Sequence, residues 1–394
     1  MTPVAITEFT LVTALGAGRH ASLAALQASR SGLARQAFET AEIDTWLGVA
    51  PGVDEVKLAP EFKAYDCRNN RLAELALRSD DFAGRVRAAA QRWGAGRIGV
   101  FLGTSTSGIL QTEIAYRHRD PQTGALPAWL DYAHTHNTYS VSRYVRESLG
   151  LTGPAYVVST ACSSSAKAFA AGARMIAAGL IDAAVVGGVD SLCMTTLYGF
   201  KSLELVSSDI CRPWDAQRAG LSLGEGAAFA LLEREATRAQ AWLLGAGETS
   251  DGHHMSSPHP EGAGAAAAMR DALAQAGLQP QQVDYLNLHG TGTPGNDAAE
   301  DQAVAAVFGT ALPCSSTKGF TGHTLGAAGG VEAAISILAL QQGFMPAGLN
   351  VRQVDPALRT HYLLEPRGQA LQVVASNSFG FGGSNACLVF GKAA

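Results

Sequence analysis

A cysteine lies where an apolar strand turns into a helix. The segment Val157–Lys167 reads VVSTACSSSAK, so Cys162 stands among small residues between an apolar run and an Ala-rich stretch with helical spacing. The first turn of a helix presents unpaired N–H groups and the positive end of the helix dipole. These favour thiolate, which makes Cys162 a candidate nucleophile, although an isolated Cys in such surroundings is more often a small buried residue.

Two histidines in Gly/Thr surroundings strengthen the nucleophile hypothesis. His289 ends an apolar strand and precedes Gly290–Pro294, GTGTP, whereas His323 lies within Thr317–Gly326, TKGFTGHTLG. A fourth segment, Asn377–Gly383, reads NSFGFGG, and its glycines permit close approach of a backbone. A thiol with imidazoles beside it is the pattern of nucleophilic catalysis assisted by a base.

The two halves of the chain share a similar sequence pattern around these residues. In each half a Ser-Thr pair precedes the residue of interest, Cys162 or His323, and an Ala/Gly-rich helix follows, Leu325–Leu340 in the second case. Each half then closes with glycines and an apolar strand. We therefore predict two βα-rich halves, residues 1–240 and 241–394, stacked as a layered α/β sandwich. A pseudo-twofold axis would bring the Cys162 and His323 turns together.

Composition agrees with a large α/β enzyme. The 394 residues are 47% hydrophobic and 16% charged, and they include 44 glycines, which suits a large core in two halves. The net charge of -5 gives no sign of nucleic-acid binding. The six cysteines form no CxxC pair, which favours reduced thiols in the cytoplasm over a disulfide framework or a metal site.

Several other functions are disfavoured by the motifs. Gly103–Gly108, GTSTSG, lacks the glycine and lysine spacing of a phosphate-binding loop. His253, His254 and His259 lack the HExxH spacing of a metal site, and Pro258 flanks the last of them. The start resembles neither a signal nor a transit peptide, and no apolar run is long enough for a membrane span, so we expect a cytoplasmic protein.

The motifs TACSSS, HGTGTPGND, STKGFTGHTLGAAGG and NSFGFGGSN together resemble β-ketoacyl-[acyl carrier protein] synthases of the Cys-His-His class. The resemblance covers nearly the whole chain. It implies the thiolase fold, a five-layer αβαβα sandwich of two pseudo-repeated halves. It also implies an acyltransferase that joins an acyl thioester to malonyl-carrier protein with loss of CO₂, in fatty-acid or polyene/polyketide biosynthesis. No cofactor is expected, because the phosphopantetheine arrives on the acyl carrier protein.

The resemblance assigns roles around the nucleophile. Cys162 would receive the acyl chain as a thioester, and the backbone N–H groups of Cys162 and Phe381 would form an oxyanion hole. Phe381, with Phe379 nearby, would also gate the acyl pocket, although both rings suit ordinary core packing. Neutral His289 and His323 would donate hydrogen bonds to the enolate formed by decarboxylation.

Further roles follow from the same resemblance. Lys318 would provide a positive field near the histidines and pair with Glu300, which could equally be a solvated helix residue. Thr291 and Thr293 would hydrogen-bond the pantetheine arm, although a turn-forming role is equally natural. Thr106, in the GTSTSG segment, would shape the acyl pocket and could indicate a specialised substrate such as a polyene or aryl-primed chain.

The partners expected are an acyl carrier protein and a second subunit, which is either an identical chain or a chain-length factor. Because carrier proteins are acidic, we expect a basic patch at the pocket mouth, with Arg68, Arg71, Arg117 and Arg119 as candidates.

Related enzyme classes fit less well. Thiolases carry a second Cys in the last Gly-rich loop, whereas Cys387 lies beyond it in a strand. Initiating synthases carry Asn where His323 stands, and chain-length factors lack the nucleophile.

Overall fold

The computed structural model describes residues 1–393. Twelve strands form one mixed sheet, and two small two-stranded sheets lie beside it. The strands are β1 Val4–Thr13, β2 Gly16–Ala17, β3 Leu47–Gly48, β4 Ile98–Gly103, β5 Ala155–Val158, β6 Ala183–Asp190, β7 Leu223–Gly224, β8 Gly226–Glu233, β9 Ala241–Ser250, β10 Tyr285–Asn287, β11 Pro313–Ser315, β12 Phe344–Met345, β13 His361–Tyr362, β14 Arg367–Gly368, β15 Val373–Gly380 and β16 Ser384–Lys392.

The α-helices are distributed over both halves of the chain, with short 3₁₀ turns between some of them. They are α1 Gly18–Gln27, α2 Arg68–Arg78, α3 Phe82–Trp93, α4 Ile109–Arg117, α5 Tyr139–Ser148, α6 Ser164–Ala177, α7 Met194–Ser202, α8 Ala263–Ala276, α9 Pro294–Phe308, α10 Lys318–Thr321 and α11 Ala328–Gln342.

The strand order repeats between the two halves. The N-terminal strands run β1-β8-β6-β4-β5, and the C-terminal strands run β9-β16-β15-β10-β11. In both runs the first two pairings are antiparallel and the last two are parallel. A short pairing between β1 and β9 joins the runs. This match confirms the predicted pseudo-repeat, while a boundary at residue 240 stays a prediction.

Helices α6 and α11 form the central layer of the molecule. Residues 328–340 of α11 are all buried, as expected for a helix that is apolar around its whole circumference. Successive side chains of β6 point to opposite faces of the sheet and enter different cores. Val186 packs in the central core with α6 and α11, whereas Val185 packs in the outer core with α2, α3 and α5. Helices α8 and α9 cover the other outer face, so the predicted five-layer sandwich is confirmed.

The segment Asn377–Gly383 divides between a strand and a turn. Its first residues belong to strand β15, which pairs with β16 as far as Gly380. Asn377 and Ser378 are polar but buried in this strand. The strand therefore extends directly to the candidate oxyanion loop.

The nucleophile helix packs unusually close to the sheet at Gly103, the last residue of β4. A Cβ atom placed on Gly103 would lie 2.2 Å from the backbone nitrogen of Ser165 at the start of α6. No side chain fits there, so glycine at this position sets the depth at which α6, and Cys162 before it, sits against the sheet.

We predict that Gly103→Ala lowers the free energy of unfolding by about 1–3 kcal/mol, since the start of α6 must shift to relieve the overlap. Urea denaturation would measure this change. Gly199→Ala is the matched control, because a Cβ at this exposed position of α7 meets nothing within 4 Å. Equal stability of Gly103→Ala and wild type would contradict the proposed constraint.

Candidate active site

Cys162 occupies a strained turn between β5 and α6. The preceding residue, Ala161, has a φ of +52°, a conformation that few residues other than glycine adopt. The backbone N–H of Thr160 donates to Ser164 Oγ at 2.9 Å, and Ser163 Oγ donates to the Thr160 carbonyl oxygen at 2.9 Å. These bonds fix the turn, and Cys162 is only 5% exposed.

His323 meets this turn from the other half of the chain. Its Nε2 lies 3.0 Å from Cys162 Sγ. The His323 backbone is held by two hydrogen bonds beside β7: its N–H donates to the Ser222 carbonyl at 2.8 Å, and its carbonyl accepts from Gly224 N–H at 3.0 Å. The predicted meeting of the nucleophile and the histidine turn is therefore present in the structure.

His289 lies next to His323, and the centroids of the two rings are 5.4 Å apart. Lys318 Nζ is 3.3 Å from His289 Nδ1 and also donates to the His289 carbonyl oxygen. Because an ammonium group can only donate, Nδ1 accepts, and the proton of a neutral His289 stands on Nε2. The Nε2–H group is therefore available for hydrogen bonding to a ligand.

The predicted pairing of Lys318 with Glu300 is wrong. Lys318 Nζ donates to Glu332 Oε1, on the buried helix α11. Glu300 instead accepts from the backbone N–H groups of His289 at 2.8 Å and Gly290 at 2.7 Å. Helix α9 begins at Pro294, directly after the His289 loop, so it folds the Glu300 carboxylate back under that loop.

Glu332 was missed by the sequence analysis, although a signal was present. It is the single charged residue in the otherwise apolar or small stretch of α11. A buried carboxylate in such a helix requires a partner, and Lys318 provides it.

Burial controls the protonation of the three reactive groups. It lowers the pKa of both His289 and His323 well below the usual value, and the charge of Lys318 adds to this effect. Burial also raises the pKa of the Cys162 thiol to about 12. Burial has a larger effect on this pKa than the charge of Lys318, so it favours the thiol over the thiolate that the helix terminus led us to expect.

The Gly-rich loop after β15 contacts the nucleophile turn directly. A Cβ on Gly380 would lie 2.7 Å from the Thr160 carbonyl oxygen and 3.1 Å from Cys162 N, so only glycine fits. Burial raises the pKa of the Cys162 thiol, and the backbone N–H of Phe381 is close enough to the sulfur to lower that pKa by a smaller amount. This places the Phe381 N–H group beside the reactive atom.

The two phenylalanines of this loop region have different contacts. The Phe381 ring stacks on Phe200 of α7 with centroids 5.3 Å apart, and it is only partly buried. The Phe379 ring is buried against His289 with centroids 5.6 Å apart. Phe381 therefore has room to move, whereas Phe379 is part of the wall.

A cavity of about 450 Å³ gives access to these groups. Cys162, His289 and His323 all line it, together with Phe200, Phe379 and Phe381. Thr291 and Thr293 line the same cavity, with their hydroxyl oxygens 2.8 Å apart. The cavity has the size of a site for an extended organic group.

Two predicted residues lie elsewhere. Thr106 is 1% exposed and does not line this cavity; its hydroxyl and its N–H both bind the buried Asp190 carboxylate at 2.8 Å. Arg68 is not free for docking, since its guanidinium binds the buried Glu225 and the exposed Asp54. In both cases a buried carboxylate distant in sequence determines the position of the side chain.

The other arginines of the predicted patch are more exposed. Arg71 pairs with Asp66, and Arg117 pairs with Glu39. Arg119 is exposed and makes no ion pair with residues 1–393. A docking role for these three residues stays a prediction.

The described part of the chain has no metal-binding cluster and no membrane-spanning helix. Within residues 1–393, no three His, Cys, Asp or Glu side chains are grouped to hold a metal ion. None of the helices formed by these residues has the length and apolarity needed to cross a bilayer.

Comparison with known proteins relates these features to one family. The β-ketoacyl synthase N-terminal domain matches residues 77–238, and the β-ketoacyl synthase C-terminal domain matches residues 240–352. The mitochondrial 3-oxoacyl-[acyl-carrier-protein] synthase of Arabidopsis thaliana is 40% identical over 271 residues, or 63% of this chain and 59% of the relative. The 3-oxoacyl-[acyl-carrier-protein] synthase 2 of Vibrio cholerae is 30% identical over 98% of both chains.

A solved structure shows the same fold. A ketosynthase in complex with its chain-length factor from Xenorhabdus doucetiae aligns with a TM-score of 0.90 and 36% sequence identity. The alignment covers 99% of this chain and 98% of that chain.

The raised pKa of Cys162 predicts how its reactivity depends on pH. Only thiolate reacts with iodoacetamide, so the alkylation rate should rise about tenfold per pH unit from pH 6 to pH 9, well below a pKa of about 12. Peptide mass spectrometry would follow Cys162, and Cys162→Ser would identify its signal. A rate independent of pH between 6 and 8 would instead reveal a resting thiolate.

Proposed function

The chain belongs to the β-ketoacyl synthase family, and we propose that it condenses an acyl thioester with malonyl-acyl carrier protein, extending the acyl chain by two carbons. The observation that carries this proposal is the cavity in which Cys162 Sγ lies 3.0 Å from His323 Nε2, with His289 beside them. A nucleophile and two neutral imidazoles in one buried cavity suit an acyltransferase that stabilises an enolate.

The first step transfers the acyl group to Cys162. The sulfur attacks the thioester carbonyl of the acyl-carrier protein while the thiol proton moves to His323 Nε2. The N–H groups of Cys162 and Phe381 donate to the oxyanion of the tetrahedral intermediate. The intermediate collapses with loss of the pantetheine thiolate, which takes the proton from His323. The Cys162 thioester and a free carrier thiol remain.

The second step forms the carbon–carbon bond. The malonyl carboxylate leaves as CO₂, and its bonding electrons pass into an enolate whose oxygen accepts hydrogen bonds from the Nε2–H groups of His289 and His323. Neutral His323 takes this Nε2–H tautomer once Cys162 is acylated and its sulfur no longer donates to Nε2. Each such donor is worth about 3–4 kcal/mol in a water-excluded site. The enolate carbon attacks the Cys162 thioester, and the C–S bond breaks. The departing sulfur takes up one proton from water, because its own proton left with the first carrier thiol. The β-ketoacyl product remains on the carrier.

Three residues position this machinery without contacting substrate. Lys318 orients His289 through Nδ1 and disfavours its protonation. Glu332 provides the counter-charge that allows Lys318 to be buried. Glu300 holds the backbone at His289 and Gly290, which fixes the loop that carries the ring.

The cavity wall offers polar groups that would bind the phosphopantetheine arm of the carrier protein. Thr291 and Thr293 offer hydroxyl groups along the cavity wall that suit the amides of phosphopantetheine. The carrier protein delivers this arm with each substrate. Both steps need only a thiol, two thioesters and one proton from water, so we propose that the protein uses no cofactor or metal of its own. We also propose that it acts in the cytoplasm, because all six of its cysteines are free.

Strand β5 offers a surface for a second subunit. It is the last strand at its end of the large sheet and pairs with β4 alone, while Tyr156 on it is 38% exposed. An unpaired edge with exposed aromatic surface favours association. We propose that a second copy of the chain covers this edge.

A second candidate function is the ketosynthase subunit of a ketosynthase–chain-length-factor heterodimer with a polyene or aryl-primed substrate. The 36% identity with the protein from the Xenorhabdus doucetiae complex over nearly the whole chain favours this alternative. In that case a non-catalytic homologue, and not a second copy, would cover β5.

The catalytic roles predict a separation of the two steps. Cys162→Ala should abolish acylation, whereas His289→Ala should still be acylated and should condense about 10²–10³-fold more slowly, because one enolate donor is lost. Intact-protein mass spectrometry with acyl- and malonyl-carrier proteins would measure both steps. His20→Ala, at an exposed site on α1, is the matched control. A wild type that no acyl-carrier protein acylates, alone or with a chain-length factor, would contradict the function.

The edge strand predicts the state of assembly. Wild type should sediment at about twice the chain mass of 40.8 kDa, and Tyr156→Lys should shift it toward the monomer because it places a charge in the interface. A monomeric wild type that becomes active only with a chain-length-factor partner would replace the homodimer with the heterodimer.

A further inference from the structure

Lys167 lies in the first turns of α6, five residues after the nucleophile. Its neighbours on both sides are buried, but its own side chain is half-buried and reaches the end of the Gly-rich loop. Its Nζ lies 2.7 Å from Ser384 Oγ. Within residues 1–393 no carboxylate lies within ion-pair distance of this ammonium group, so the Ser384 hydroxyl is its partner.

Ser384 is the residue at which the Gly-rich loop ends and strand β16 begins. It follows Gly382 and Gly383, whose φ values of +79° and +75° mark the turn directly after Phe381. The Ser384 hydroxyl oxygen lies 3.1 Å from Ser163 Oγ. The residue that ends the loop is thereby tied to the residue that follows Cys162.

Ser384 is the acceptor at this end of the loop. An ammonium group only donates, so Ser384 Oγ accepts from Lys167, and it also accepts from Ser163 Oγ at 3.1 Å. Ser163 Oγ lies 2.9 Å from the Thr160 carbonyl oxygen as well, so its single proton is shared between these two acceptors. These contacts connect Lys167 to the turn that holds Cys162.

The opposite edge of the loop is fastened to a different segment. Gly382 N–H donates to the Met255 carbonyl at 2.7 Å, and the Gly383 carbonyl accepts from Asp251 N–H at 2.8 Å. These bonds join the loop to the exposed segment before α8 and do not reach α6. Lys167 acts on the other side, where the loop faces the nucleophile helix.

We propose that Lys167 is a positioning residue that holds the Ser384 end of the loop against α6 and so keeps the Phe381 N–H group at the Cys162 sulfur. Its effect on condensation rests on the proposed function. Its effect on the loop does not, because the loop covers Cys162 whatever the substrate is.

Alkylation of Cys162 by iodoacetamide at fixed pH measures how often the loop opens. Lys167→Met should accelerate alkylation about three- to tenfold, the scale of one lost charge-assisted hydrogen bond. Lys167→Arg should retain the donor and stay near the wild-type rate. The matched control is Lys392→Met, at an exposed position near the far end of β16.

A double-mutant cycle tests the partner. Ser384→Ala should accelerate alkylation to the same extent, and Lys167→Met with Ser384→Ala should be no faster than either alone. Unchanged alkylation in Lys167→Met, or additive effects in the double variant, would overturn the proposal. If Lys167→Met does not fold, Ser384→Ala alone decides, because it removes the same bond. If wild type does not catalyse condensation, the proposed function is rejected. The alkylation rates of the Lys167 and Ser384 variants would still test the role of Lys167 in holding the loop.

Discussion

Burial of the reactive groups at the junction between the two halves is the constraint on which the site depends. Cys162, His289 and His323 are all at least 95% buried, so each is held in its uncharged form. A neutral imidazole has one N–H group, which can donate a hydrogen bond to a developing enolate. The same burial makes the Lys318 charge costly, and Glu332 on α11 offsets that cost.

The repeated fold explains how such a junction forms. Equivalent turns of the two halves, one before α6 and one before α11, meet over the central helix layer and place Cys162 against His323. Backbone contacts at Gly103 and Gly380 set these distances, since a Cβ at either position would overlap the nucleophile turn or the start of α6. Glycines therefore define the geometry of the reactive atoms more directly than polar contacts do.

Local patterns predicted the layered fold and the approach of the Cys162 and His323 turns, because strand ends, helix starts and glycine turns are local features. The errors concern long-range partners. Glu300 was predicted as the partner of Lys318, but the partner is Glu332. The choice between the two carboxylates depends on how α9 and α11 pack, and residue spacing along the sequence carries no information about that packing. The protonation state of Cys162 also depends on long-range structure: helix polarity is a local feature, whereas the burial that raises the thiol pKa comes from the whole fold.

The most direct test of the account is ¹⁵N NMR of selectively labelled histidines, with His289 and His323 assigned by single substitutions. Both rings should remain neutral from pH 6 to pH 8, with the His289 proton on Nε2, because burial and Lys318 lower their pKa values. An unperturbed imidazole has a pKa of about 6.5. Titration of His289 or His323 near that pH would contradict the claim that burial keeps these groups uncharged.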